Sequence, residues 1–434
     1  MIHSRKVMGL VVATAAAGLV LSGCSGDSGG DDSGGGVTLT LWHNTQDPDA
    51  VLKIYSDYEE ASGNTIDLVP ITSDGFEDAT LTKWASGDRP DILEFHATKA
   101  YITMLNPTEN LQDLSDMDFV GESGSLYDLG GRGTDGNVYA AITNFPEVWG
   151  LYYSKTVLDE YGLQPATTTD ELLEQCAVLS AAGVPTLAES GASSWPPVAI
   201  PFISAATDTP DGWVDDILDQ TSTLDDADSP VLEGLEIYQE LLDGGCMNSD
   251  ITTATFENSV AKVYGGEAAY QAIHSNIASV YLDAAGGDAD ALGAAVGFTA
   301  LGAHEQATVI NPGPIGSYLL PKTGDEAKEQ AAREFIEFVT GEHYATYIED
   351  SGTFPVIDGV DDPSTATPLL LDIKAAYDAG PTVGMAAGDL PGGLSGVIPL
   401  MSELIVGQKT PKEVAATLQS QMVTAAKAQG LEGW

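Results

Sequence analysis

Val37-Thr38-Leu39-Thr40-Leu41-Trp42 alternates apolar with polar side chains, the period of a half-buried strand. Residues 48–62 then place Val51, Ile54, Tyr55 and Tyr58 at helical spacing, and Gly63-Asn64 closes that helix. The sequence predicts a second strand at Thr65-Ile66-Asp67-Leu68-Val69, a helix over 76–85, a turn at Gly87-Asp88-Arg89-Pro90 and a third strand at Asp91-Ile92-Leu93-Glu94-Phe95. Strand, helix, strand, helix, strand is the signature of a parallel sheet with crossover helices. The fold class is therefore α/β, and ligands of such sheets sit beyond the C-terminal strand ends. Trp42 and Asn44 at one end, and Glu94 at another, are binding candidates that equally suit plain burial.

Upstream of the first strand, residues 25–36 contain only Ser, Gly and Asp, which cannot bury apolar surface and read as a flexible tether. Before it, Arg5 and Lys6 precede an uncharged run over 7–21 that is too short to span a bilayer, and Leu21-Ser22-Gly23-Cys24 follows. That tetrapeptide resembles the bacterial lipobox, which implies cleavage after 1–23, a lipid on Cys24 and a body tethered by 24–36 at the outer face of a membrane. The expected location is the extracellular face of the cell membrane, or its periplasmic face.

Sixteen Lys and Arg stand against 65 Asp and Glu, a net charge of −49. Such a surface repels phosphate backbones and anionic lipid, which argues against nucleic acid and against membrane contact other than through the anchor. With acids this abundant, two neighbouring carboxylates carry little information about catalysis. Six scattered histidines do not suggest a metal, and no cofactor is expected. With Cys24 lipidated, Cys176 and Cys246 remain, either as a disulfide, which an oxidising compartment permits, or as two buried thiols.

Downstream, a short strand over 138–142 leads through Asn144-Phe145-Pro146-Glu147-Val148-Trp149, read as a polar and aromatic loop, into a strand at Gly150-Leu151-Tyr152-Tyr153. Two strands joined in this way suit a crossing between lobes. Helices are expected over 171–182, 231–242, 326–340, 368–378 and 410–429, and strands within 265–276 and over 295–301 and 317–320. Residues 190–230 look loop-rich, and 311–316 read as a Gly/Pro turn.

Four separated patterns then line up. The run Ala85-Ser86-Gly87-Asp88-Arg89-Pro90-Asp91-Ile92, the stretch Leu151-Tyr152-Tyr153-Ser154-Lys155 with Gly162-Leu163 and Thr168-Thr169-Asp170-Glu171-Leu172, the segment Gly265-Gly266-Glu267-Ala268-Ala269, and Phe335-Ile336-Glu337-Phe338-Val339 with Gly352-Thr353-Phe354-Pro355 occur in one order. Together they resemble the extracellular solute-binding proteins of ABC importers, the family that includes maltose-binding protein. Ser154 stands where that family has Asn, and Thr169 where it has Trp. Asn276 stands where many members carry a sugar-stacking Trp, and His274 where they carry Gly.

The resemblance implies two α/β lobes of the periplasmic-binding-protein type (class II) with a ligand cleft between them. One lobe is expected to hold 37–143 and 302–355, the other 144–301 and 356–434. It implies a monomer that captures an extracellular carbohydrate by lobe closure and delivers it to an ABC permease, without enzymatic activity. This chain has no Gly-x-x-x-x-Gly-Lys-Ser/Thr loop, so ATP hydrolysis falls to the partner.

A sugar presents hydroxyl rims and apolar faces, so its site needs carboxylates, amides and aromatic rings. The candidates are Trp42, Asn44, Glu94, Glu147, Trp149, Trp195, His274 and Asn276. For Glu147 and Trp149 the competing reading is a solvated acid beside a hinge-filling indole. Two other functions stay open: the same fold binding a polyamine, a peptide or another polar solute, and a surface glycosidase using Glu94 and Glu147 as its carboxyl pair.

Overall fold

The computed structural model describes residues 36–72, 75–313, 316–394, 396–431 and 433–434. The leader, Cys24 and most of the tether lie outside these residues. The described residues form ten strands: β1 (Thr38–Asn44), β2 (Thr65–Ile71), β3 (Ile92–Phe95), β4 (Ala140–Ala141), β5 (Glu147–Ser154), β6 (Tyr270–His274), β7 (Val296–Ala300), β8 (Thr308–Asn311), β9 (Ser317–Leu319) and β10 (Thr382–Gly384).

The first sheet has the order β2-β1-β3-β9-β4, with β1 parallel to both β2 and β3 and with β9 antiparallel to β3 and β4. The helices Asp49–Ser62 and Phe76–Ala85 make its two crossovers. Gly63 ends the first helix at φ 73°, a left-handed cap that glycine adopts without steric cost. The helix Glu326–Thr340 packs Phe335 against Tyr55, Tyr58 and Tyr318.

The second sheet has the order β10-β8-β5-β6, with β7 also paired to β5. Both of its faces are buried. Trp149, Leu151, Tyr270 and Val309 lie in one core with the helices Ala199–Asp208 and Pro230–Asp243, while Val148, Tyr152, Phe298 and Ile310 lie in another with Tyr281 and the helix Pro368–Asp378. Gly150 leaves β5 room to meet β7, because a Cβ there would collide with the Thr299 carbonyl. The bond Cys176–Cys246 ties the helix Thr169–Ala182 to the turn after the helix Pro230–Asp243, with Cα atoms 5.3 Å apart.

The chain passes from β4 to β5 through 142–146 and returns from β8 to β9 through 312–316. β8 pairs with β5 over three residues, so Thr308–Asn311 belongs to the second sheet and the return comes after Asn311, later than the boundary at 302 drawn from sequence. Residues 190–230 are also less irregular than expected: they contain the helices Ala199–Asp208 and Trp213–Leu218.

Candidate functional site

Sequence reading ended the crossing loop at Trp149, but the strand starts at Glu147. Alternation along β5 puts Glu147, Trp149 and Leu151 on one face. Asn311 is the cross-strand partner of Glu147 and donates from Nδ2 to Oε2 at 3.0 Å. Asn276, in the short turn after β6, donates from Nδ2 to Oε1 at 2.9 Å. That turn is itself pinned to β5: the Ser275 hydroxyl accepts from the Val148 N–H, and the Ser275 carbonyl accepts from the Tyr152 hydroxyl. Both Glu147 oxygens are thus fixed, and each retains lone-pair capacity for a ligand donor.

Beside this carboxylate stands an aromatic group. Trp149 and His274 are register partners with ring centroids 5.2 Å apart, and Trp195 lies 5.6 Å from His274 and 5.3 Å from Phe256. Burial holds the His274 imidazole below its ordinary range, against the opposing pull of Glu147, so the ring stays neutral at pH 7. Trp149 Nε1 and His274 Nδ1 are buried without a hydrogen-bond partner among the described residues.

A cavity of about 1030 Å³ opens between the two halves. Lys99, Tyr101 and Arg132 face it from the first half, and Phe202, Asn311 and Met385 from the second. Asn311 thus lines the cavity and also bonds Glu147, whereas Glu147, Trp149, Trp195, His274 and Asn276 are not among the lining residues. Tyr101 stacks on His96 at 4.7 Å, and His96 in turn bonds Glu77 at 2.8 Å, which lowers that carboxyl.

Glu147, Trp149, Trp195, His274 and Asn276 thus gather around the start of β5 and the end of β6. Trp42, Asn44 and Glu94 converge elsewhere, inside the first half. Trp42 is 2 % exposed, with Lys83 Nζ 4.5 Å above its ring, because the helix Phe76–Ala85 covers that side of β1. Glu94 is 1 % exposed and accepts from the Asn44 N–H at 3.2 Å. Burial, then the neighbouring Asp47, pushes its carboxyl well above the usual range. These three are buried in the first half and are not among the residues lining the cavity. Asn311, Lys99 and Tyr101 were missed: the first lay in an apparent turn, and the others carry no sequence signal that separates them from ordinary surface.

The architecture defines a two-lobed α/β binding protein with its cleft between the lobes. The chain belongs to the family described as bacterial extracellular solute-binding protein, which matches residues 53–371. Among curated proteins, none matches the sequence. Solved structures with the same fold include a chitin oligosaccharide binding protein (21 % identity, 91 % of this chain and 100 % of that one, TM-score 0.71). RafE from Streptococcus pneumoniae matches at 16 % identity over 91 % and 99 % of the two chains (TM-score 0.72). A sugar transporter from Bacillus licheniformis, solved with stachyose, matches at 21 % identity over 90 % and 100 % (TM-score 0.64).

Proposed function

We propose that this protein is the substrate-binding lipoprotein of an ABC importer, capturing an extracellular carbohydrate in the interlobe cleft and presenting it to a membrane permease. The observation that carries this reading is the Glu147 carboxylate, held by Asn276 and Asn311 beside the Trp149, His274 and Trp195 rings. A fixed carboxylate accepts sugar hydroxyls, and rings take up apolar sugar faces. The cavity is at the upper end of the ~300–1,000 Å³ usual for small-molecule sites, which favours an oligosaccharide over a single ring. Neighbours of the same fold named for chitin oligosaccharide, raffinose and stachyose support the same class. Lipidation at Cys24 rests on the lipobox resemblance. No helix among the described residues is long and apolar enough to cross a membrane.

One observation favours a second cargo. The cavity wall carries Glu77, Asp78, Asp128, Asp211, Asp215 and Asp389 against Lys99 and Arg132, a balance that suits a cationic solute such as a polyamine. A glycosidase needs two carboxyls flanking one bond, and Glu94 is sealed in the first half. Thermal-shift titration with oligosaccharides, polyamines and amino acids separates the readings, since a ligand raises the transition by mass action. A shift with an oligosaccharide and none with spermidine is expected; the reverse overturns the carbohydrate reading.

A further inference from the structure

His43 is the penultimate residue of β1 and buried, Asp47 follows in the next turn, and Glu94 lies on β3. One ligating atom from each lies within 4.8 Å of the other two. His43 Nδ1 is 3.0 Å from Asp47 Oδ2, and the side chains of both are about nine-tenths buried. The Asp47 and Glu94 carboxyls approach within 4.8 Å of each other. Among the described residues, neither is in salt-bridge contact with any Lys or Arg. Two neighbouring buried carboxyls are costly when both are charged, and a shared proton or a bound metal ion is the usual resolution.

The topology supplies an independent argument. In the order β2-β1-β3 the chain leaves β1 for β2 on one side and reaches β3 on the other, so β1 and β3 flank the switch point of the first sheet. Open α/β sheets bind ligands at the carboxyl ends of the two strands that flank such a point. His43 and Asp47 come from the end of one of those strands and Glu94 from the other.

We propose that His43, Asp47 and Glu94 hold a single divalent transition-metal cation at this switch point. An imidazole with two carboxylates suits zinc, cobalt or manganese better than calcium, which takes six to eight oxygens. Zinc–nitrogen and zinc–oxygen bonds of about 2.0–2.2 Å fit inside the observed separation after small side-chain rotations. The ion fixes the turn after β1 to β3 and is distinct from the cargo at Glu147.

The test is equilibrium dialysis of the full chain against Zn2+ and Co2+ in excess Mg2+ and Ca2+, which occupy the surface carboxylates. Cobalt absorption reports on imidazole ligation. One tight equivalent is expected, with a visible cobalt spectrum and a raised melting transition. Affinity should fall about 100-fold in Glu94→Gln and in His43→Gln, and stay unchanged in His304→Ala. That last variant removes the exposed cluster of His304, Asp208 and Glu233, the other grouping of potential metal ligands. Absence of a tight equivalent, or its loss in His304→Ala alone, overturns the proposal. If the His43 or Glu94 variant unfolds, the cobalt spectra of the wild type and of His304→Ala still decide the matter.

Discussion

Asn311 donates to Glu147 across the β5–β8 register at 3.0 Å, so this carboxylate is held by the neighbouring strand. Glu147→Gln keeps the shape and removes the charge. Hydrogen bonds to a charged group are worth roughly 1.5–3 kcal/mol, so cargo affinity should fall about 10–100-fold by calorimetric titration, with the melting transition of the free protein little changed. Undiminished affinity removes Glu147 from the site.

Asn276→Ala and Asn311→Ala each delete one prop of that carboxylate. Each should weaken binding by about 1 kcal/mol, roughly fivefold. Combined with Glu147→Gln their effects should be markedly less than additive, because all three act through one group. Full additivity in the double-mutant cycles would mean that the amides contact cargo independently.

The first half was legible because its strands and helices have clean periods; the helix Phe76–Ala85 falls on the expected residues 76–85. Ala199–Asp208 was not, since its residues, Pro201 included, are almost all buried and show no amphipathic face. β8 was hidden for a different reason: Thr308–Asn311 has four residues and becomes a strand through its pairing with β5 and β10. Its role in the site was therefore invisible, although Glu147, Asn276 and Trp195 could be named. Trp42 and Glu94 carried the same signal as these, a suitable residue at a strand end, and only burial distinguishes them.

Glu189 is buried, with its oxygens accepting from the Ser190 N–H and the Tyr238 hydroxyl, and burial raises its carboxyl to about 7 from an unfolded value near 4.5. Below pH 4.5 both states hold the proton. As pH rises towards 7 the unfolded state releases it and the folded state does not, so stability falls over that window and levels off above it. Glu189→Gln should remove this slope, gaining about 3 kcal/mol over wild type between pH 4 and pH 8 in urea titrations. Parallel curves for the two proteins would contradict the assignment.

The Cys176–Cys246 bond closes a loop with a sequence separation of 70. Replacing both residues by Ala should cost about 2–4 kcal/mol of unfolding free energy, with little effect on cargo affinity because neither cysteine lines the cavity or bonds Glu147. Chemical denaturation with and without reductant checks the first part.

Cys24→Ala should leave binding by the purified protein intact while releasing the protein from the cell surface and depressing uptake. Fractionation and a transport assay read both effects. Weakened binding in that variant would assign the N-terminus a role beyond tethering.

Glu147 opens β5 directly after the 142–146 crossing, and Asn311 closes β8 directly before the return. On the proposed reading, the grip on the cargo is therefore built beside the crossing segments, where rotation of one lobe against the other would displace atoms least. Lys99 and Asp389 also line the cavity, as electrostatic neighbours where the helix Lys99–Met104 meets residues 386–389. Contacts that hardly change with rotation add affinity equally to open and shut forms and cannot shift the balance between them. A sugar too short to span the walls would thus be held without drawing the lobes together, occupying the carrier while giving the permease nothing to accept.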